Sequence, residues 1–80
     1  MKREHLIAFR GKRTQAEMAS QYGVTQQSWS LWERGENTPS LPIMKQLEDD
    51  IGIPMEDIFF DVFNSNKLSK TTEEKPTNQL

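Results

Sequence analysis

Apolar side chains recur along most of the 80-residue chain at intervals of three and four positions, the spacing that buries one side of a helix. This spacing predicts five short helices, which cover residues 3–10, 15–22, 26–34, 41–51 and 54–63. The sequence contains no run with the two-residue alternation of a strand. The expected fold class is therefore all-α, with one domain over residues 1–63.

The clearest local signals surround the second and third helices. Thr14, with Glu17 three positions later, forms a capping box in which each side chain bonds the other residue's backbone N–H. Gly23 supplies the left-handed residue that ends the second helix, and Thr25 caps the third helix soon afterwards. Gly35 then closes the third helix. Two short helices joined by a glycine turn of three or four residues form a helix-turn-helix unit.

The apolar positions also assign a core side to the remaining helices. Ser40 is expected to cap the fourth helix, and Gly52 is expected to end it. Residues 64–80 have one internal leucine and no periodicity, which predicts a flexible polar tail. The expected core positions of helices two, four and five are Ala16, Met18, Ala19 and Tyr22; Leu41, Ile43, Met44, Leu47 and Ile51; and Met55, Ile58, Phe59, Val62 and Phe63.

The third helix has two different sides. Trp29 and Trp32 lie about 60° apart on a helical wheel, with Thr25 between them, and are expected to hold the helix on the core. The opposite side is polar and is expected to be free, with Gln26 at its flank and with Gln27, Ser30, Leu31 and Arg34 along it. A glutamine side chain offers the donor and acceptor pair that matches adenine in the major groove, and a leucine suits a thymine methyl. Taken singly, each of these residues is better explained as part of an ordinary helix surface. Taken together behind a turn of this type, they favour a surface that contacts bases.

Composition and charge narrow the function classes. The absence of cysteine excludes disulfides and thiolate metal sites, and the apolar run near the N-terminus is too short for a signal peptide or a membrane span. We therefore expect a soluble cytoplasmic protein that is not associated with a membrane. The net charge of −2 is polarised: residues 1–35 hold six cations and three anions, a net +3, whereas residues 36–80 hold four cations and nine anions, a net −5. Such asymmetry is compatible with a nucleic-acid-binding face.

Candidate catalytic or metal-binding residues are sparse. His5 is the only histidine and is expected to be a surface residue of the first helix. The acidic run from Glu48 to Asp50 lacks the helical spacing that would direct three carboxylates at one ion. The sequence therefore predicts no enzyme activity, no cofactor and no metal.

Residues 6–59 resemble the lambda-repressor-like helix-turn-helix family, also called the Cro or XRE type. The resemblance rests on the segment TQAEMASQYGVTQQSWSLWERGENTPS, on the later apolar spacing of Leu47 and Ile51, and on the ending IGIPMEDIF. The family's pattern is matched at Gln15, Ala19, Gly23, Val24, Ser30, the run from Trp32 to Gly35, and Pro39. The resemblance implies a five-helix DNA-binding domain whose second and third helices straddle the major groove.

The resemblance also implies roles for individual residues. It suggests that Gln15 contacts a backbone phosphate and that Gln26, Gln27 and Leu31 meet base edges, although Leu31 stands where many members have a polar base reader. It further implies an ion pair between Arg10 and Glu33. The full set of expected DNA-binding residues is Arg10, Lys12, Arg13, Gln15, Thr25, Gln26, Gln27, Ser30, Leu31, Arg34, Asn37 and Thr38.

Two functions remain open at this stage. The favoured one is a transcriptional regulator, a small prokaryotic or phage-type repressor that binds a two-fold symmetric operator in double-stranded DNA as a homodimer and excludes polymerase. The alternative is a protein-interaction module, an antitoxin or adaptor that docks a basic partner on its acidic half, from Glu48 to Asp61. Phe59, Phe60 and Phe63 exceed what one side of a short helix buries, so either one of them faces a partner protomer or all three cover the core.

Overall fold

The computed structural model of the protein describes residues 1–63. The fold consists of five helices, which are α1 (Glu4–Arg10), α2 (Gln15–Gln21), α3 (Gln26–Glu33), α4 (Leu41–Ile51) and α5 (Met55–Ile58), and a last helical turn over residues 60–63. Within residues 1–63 no strand is present, so the expected all-α class is confirmed. The tail expected over residues 64–80 lies outside the described part of the chain.

The core forms where all five helices meet around two tryptophans. Trp29 is fully buried and Trp32 is 4% exposed, as expected from the helical wheel. The Trp29 ring stacks on Tyr22 of α2 with a centroid distance of 5.7 Å, and Trp32 lies tilted against Trp29 at the same distance. Aromatic pairs of this geometry add about 0.5–1.5 kcal/mol beyond the burial of their area. The remaining buried apolar side chains are Leu6, Met18, Ala19, Met44, Leu47, Ile58 and Phe59.

The turn between α2 and α3 forms as its local signals predict. The Thr14 hydroxyl accepts the Glu17 N–H, and the Glu17 carboxylate accepts the Thr14 N–H, so both halves of the capping box are present. Gly23 has a φ of +69°, a conformation that residues with a side chain rarely adopt. These features fix the angle at which α3 leaves α2, and so they fix the direction of its outward side.

Four expectations about single residues in α2, α3 and α4 are wrong. Ala16 is exposed, and Leu41 is 64% exposed because it lies about 120° around α4 from the buried Leu47. Thr25 is exposed because it is the extended N-cap of α3, to which a helical wheel does not apply. Ser40 occupies the N-cap position of α4, but its side chain makes no capping hydrogen bond.

The C-terminal helical segment is interrupted, whereas the sequence predicted one helix. The backbone leaves helical geometry at Phe59, where φ is −110° and ψ is 41°, and resumes a helical turn over residues 60–63. This change of direction turns the Phe59 side chain fully into the core, while Phe63 is half-buried and Phe60 is 53% exposed. Of the three aromatic residues, Phe59 therefore completes the core and Phe60 lies at the surface.

Candidate nucleic-acid interface

The outward side of α3 presents side chains that can hydrogen-bond a base or a phosphate. Gln26 and Gln27 in its first turn are exposed, and so is Arg34 immediately after its last residue. Ser30 and Leu31 are half-buried, so the middle of this side is less exposed to solvent than the sequence indicated. Arg34 has Glu36 3.7 Å away at the surface, a pair whose contribution to stability is small.

The first turn of α3 is held by its cap. The Thr25 hydroxyl accepts the backbone N–H of Ser28 at 3.0 Å and donates to the Ser28 hydroxyl oxygen at 3.0 Å. The Thr25 hydroxyl proton is therefore used inside the protein. This arrangement fixes the backbone from which Gln26 and Gln27 project, and it leaves both amides exposed.

A buried carboxylate ties α3 to α1 and α2. Glu33 is 4% exposed at its side chain and accepts hydrogen bonds from Arg10 at 2.6 and 3.2 Å, from Gln15 at 3.0 Å and from the Trp29 indole N–H. The expected ion pair between Arg10 and Glu33 is confirmed. Burial raises the pKa of Glu33, but the hydrogen bonds from Arg10, Gln15 and Trp29 outweigh burial and hold this pKa below its ordinary value. Glu33 therefore stays charged at neutral pH and has a structural role.

The Glu33 network sets what Arg10 and Gln15 can offer to DNA. The Arg10 charge is compensated by Glu33 and its guanidinium also donates to the Arg13 carbonyl, so Arg10 adds little net positive charge to the surface. Gln15 directs its amide nitrogen at Glu33, which leaves the second N–H of that nitrogen and the amide oxygen for other partners. Glu33 thereby orients the Gln15 amide at the start of α2.

We expect the unfolding free energy to fall in acid and the Glu33→Gln substitution to weaken this dependence. A carboxyl group whose pKa is lowered in the folded state stabilises the fold above its unfolded pKa, and the stabilisation disappears as the pH falls through the folded value. The pKa of Glu33 is lowered by its hydrogen bonds, and that of Asp61 is lowered chiefly by Arg3. The loss should therefore occur below about pH 4, the ordinary range of carboxyl groups.

Urea denaturation in steps from pH 7 to pH 3 measures this effect. Wild-type protein should lose stability across the acid range, and Glu33→Gln should be less stable at pH 7 but flatter below pH 4. Parallel pH profiles for the two proteins would contradict the assignment of Glu33 as a charged buried anchor.

A second buried network was not predicted from the sequence, and its centre is Arg3. The Arg3 side chain is 1% exposed and donates to both carboxylate oxygens of Asp61 at 2.9 Å, to the carbonyl oxygens of Trp32 at 3.1 Å and Asn37 at 2.7 Å, and to the Thr38 hydroxyl at 3.2 Å. In the sequence Arg3 is one cation among several basic residues, and its only distinguishing signal is its place one residue before α1.

The expected DNA-binding residues thus fall into four groups in the structure. Thr25, Gln26, Gln27, Ser30, Leu31 and Arg34 lie on or beside α3; Arg10 and Gln15 join α3 through Glu33; and Asn37 and Thr38 join it through Arg3. Lys12 and Arg13 lie in the exposed link between α1 and α2. The Arg13 guanidinium also packs 5.0 Å from the Phe9 ring and donates to the Arg10 carbonyl, so this cation is held in place.

Within residues 36–63, several carboxylates of the acidic half have partners in the same domain. Glu48 accepts the Met55 N–H and pairs with Lys45, Asp50 accepts the Tyr22 hydroxyl at 2.6 Å, and Asp61 pairs with Arg3. Among the residues that the structure describes, no group of three or more histidine, cysteine or acidic side chains could hold a metal ion. No helix within residues 1–63 is long and apolar enough to cross a membrane.

Comparison with known proteins gives one result. A family model described as helix-turn-helix matches residues 6–58, the part of the chain that runs from the first buried residue of α1 to the last residue of α5. No curated protein and no solved structure matches the chain.

Proposed function

We propose, from the premise that the chain belongs to the helix-turn-helix family of DNA-binding domains, that it is a sequence-specific transcriptional regulator. The observation that carries this proposal is the exposed amide pair of Gln26 and Gln27 at the N-terminal end of α3, on a helix whose opposite side is locked into the core by Trp29 and Trp32. In helix-turn-helix proteins the second helix of the unit, which is α3 in this chain, places this end against base edges in the major groove.

The proposed contacts divide into reading and positioning. Gln26, Gln27 and Leu31 meet base edges, with Ser30 beside them, because only groove contacts carry sequence information. Backbone phosphates are contacted by Gln15 at the start of α2 and by Asn37 and Thr38 after α3. Thr25 supports the interface indirectly, because its cap holds the turn from which Gln26 and Gln27 project. Arg34, Lys12 and Arg13 supply exposed positive charge, with a smaller contribution from the compensated Arg10. The four cations support affinity that falls with salt concentration.

We further propose that the regulator is a repressor that acts by occupying its operator. Two protomers would place their α3 helices in successive major grooves about 34 Å apart on a two-fold symmetric site, where they exclude polymerase. A protein with this function works inside the cell. The domain over residues 1–63 would carry DNA binding.

The alternative role, a protein-interaction module that docks a basic partner on the acidic half, receives less support. Glu48, Asp50 and Asp61 are engaged by partners in their own domain, so a basic protein would have to compete with those bonds. Neither this role nor DNA binding requires a catalytic residue, a cofactor or a metal.

Gln27→Ala should separate base reading from folding. Removing an exposed amide is expected to change the unfolding free energy by no more than about 0.5 kcal/mol. If Gln27 reads a base, the same change should cost about 1–3 kcal/mol of affinity for the operator and relax the preference at one base pair. Fluorescence anisotropy with the preferred duplex and with single-base variants of it measures both effects.

The matched control is Gln46→Ala, which removes an exposed glutamine amide from α4. This variant should bind the duplex as wild type does. Equal affinity of the Gln27→Ala variant and the control would contradict the assignment of Gln27 as a base reader.

A further inference from the structure

Arg3 is a cation that the proposed DNA contacts do not use. Its side chain is 1% exposed, so it cannot itself reach a phosphate. The guanidinium lies 5.0 Å from the Phe59 ring centre, and its charge is paired by both oxygens of Asp61. A buried ion pair of this kind is costly to desolvate, and its contribution to stability alone is a weak reason for its presence.

The other partners of Arg3 lie at the exit of α3. Its guanidinium donates to the carbonyl oxygens of Trp32 and Asn37 and to the Thr38 hydroxyl, and its backbone N–H donates to the Glu33 carbonyl at 2.8 Å. Arg3 therefore holds the last turn of α3 and the loop after it in a fixed relation to α1 and to the helical turn that contains Asp61.

These bonds leave Asn37 and Thr38 with hydrogen-bond donors to offer. The Thr38 hydroxyl oxygen accepts from Arg3, and the Asn37 side-chain oxygen accepts the Thr38 N–H at 2.9 Å. Within residues 1–63, no acceptor takes the Thr38 hydroxyl proton or the two N–H groups of the Asn37 amide, so these donors can serve a further partner. A backbone phosphate offers acceptors only, so it fits this pair of donors.

We propose that Arg3 is a positioning residue which, with Asp61 as its counter-ion, fixes Asn37 and Thr38 to donate to one DNA backbone phosphate. This inference rests on the proposed function, because it assigns to the same DNA interface a buried residue that orients two of its contacts. It also links the DNA-facing loop after α3 to the C-terminal turn over residues 60–63.

The sign of one charge change distinguishes positioning from simple electrostatics. Asp61→Asn removes a negative charge, and by long-range electrostatics alone the variant should bind DNA more tightly. The positioning role predicts weaker binding, because without the Asp61 carboxylate the Arg3 guanidinium is no longer held in one orientation. Asp57→Asn is the matched control, since it removes the same charge from an exposed residue of α5.

The experiment measures the affinity of the full-length chain for a mixed-sequence duplex of about 20 base pairs at one low salt concentration, because phosphate contacts do not depend on sequence. Asp61→Asn should bind about 3- to 10-fold more weakly than wild type, the effect of losing one or two hydrogen bonds. Asp57→Asn should bind at least as tightly as wild type. Circular dichroism at the assay temperature confirms that each variant is folded.

A double-mutant cycle with Thr38→Val tests whether Arg3 and Asp61 act through the loop. If they do, Asp61→Asn combined with Thr38→Val should bind about as weakly as the weaker single variant, because both remove the same contact. A purely structural effect of Asp61 would instead multiply with that of Thr38→Val. If Asp61→Asn does not fold, Arg3→Lys can replace it in the double-mutant cycle. This variant keeps the positive charge but loses the planar guanidinium.

The outcomes separate this inference from the proposed function. Failure of the folded wild-type chain to bind the duplex at low salt would overturn both. Binding by wild type together with equal or tighter binding by Asp61→Asn, or independent effects in the cycle, would overturn the positioning role of Arg3 alone.

Discussion

Trp29→Ala is expected to lower the unfolding free energy by about 3–5 kcal/mol, the range for removing a large aromatic side chain from a core. Trp29 is fully buried, stacks on Tyr22 and donates its indole N–H to Glu33, so the substitution removes packing and one buried hydrogen bond together. A single core in a domain of this size rarely supplies more than about 3–5 kcal/mol, so the variant should be largely unfolded near room temperature. DNA binding should be lost with the fold.

Urea denaturation followed by circular dichroism measures this loss. Leu41→Ala is a useful control, because Leu41 is 64% exposed and its removal should change stability by no more than about 0.5 kcal/mol. A Trp29→Ala variant as stable as the Leu41→Ala variant would contradict the placement of Trp29 at the centre of the core.

Arg10→Met should have the next largest effect, a loss of about 2–3 kcal/mol. Removing one partner of a fully buried ion pair costs about 3–5 kcal/mol because the other charge is left uncompensated. Here Glu33 is 4% exposed but Arg10 is 24% exposed at its side chain, and Gln15 and Trp29 still donate to the carboxylate, so the cost is smaller. The variant should also lose less stability than wild type as the pH falls, because Arg10 is the strongest of the hydrogen-bond partners that lower the pKa of Glu33.

The double variant Arg10→Met with Glu33→Gln provides the decisive comparison. Neutralising Glu33 removes the buried charge that Arg10→Met leaves behind, so the double variant should be more stable than Arg10→Met alone. Arg34→Met serves as the control for loss of an arginine, since Arg34 is about half exposed and should contribute little. Additive losses for Arg10 and Glu33 would show that the two residues do not stabilise the fold as a pair.

Local signals in the sequence predicted the helix-turn-helix unit well. The capping box at Thr14 and Glu17 and the glycine turn at Gly23 depend on residues close together in the chain, and the structure confirms them. It also confirms the burial of Trp29, which the helical wheel predicted. The family resemblance supplied the ion pair between Arg10 and Glu33, which spans 23 positions. Helical spacing alone contains no information about such a partner.

The sequence predictions are wrong or incomplete where contacts between distant parts of the chain determine whether a side chain is buried. Leu41 is apolar and lies at a helical spacing from Met44, but it lies about 120° around α4 from the buried Leu47 and is exposed. Arg3 is charged, and a charged residue near the N-terminus is ordinarily exposed. Its burial depends on Asp61, which lies 58 positions away, and on carbonyl groups whose directions exist only after α3 has packed. Side-chain identity therefore predicted the exposure of Gln26, Gln27 and Arg34 but not the network that supports the exit of α3.

The selection of binding sites from random duplex DNA, at two salt concentrations, tests the central claim most directly. We expect the purified chain to recover a two-fold symmetric motif whose half-sites lie about one helical turn apart, and we expect binding to weaken steeply at the higher salt concentration. If a folded sample recovers no motif at either salt concentration, the chain is not a sequence-specific DNA-binding regulator.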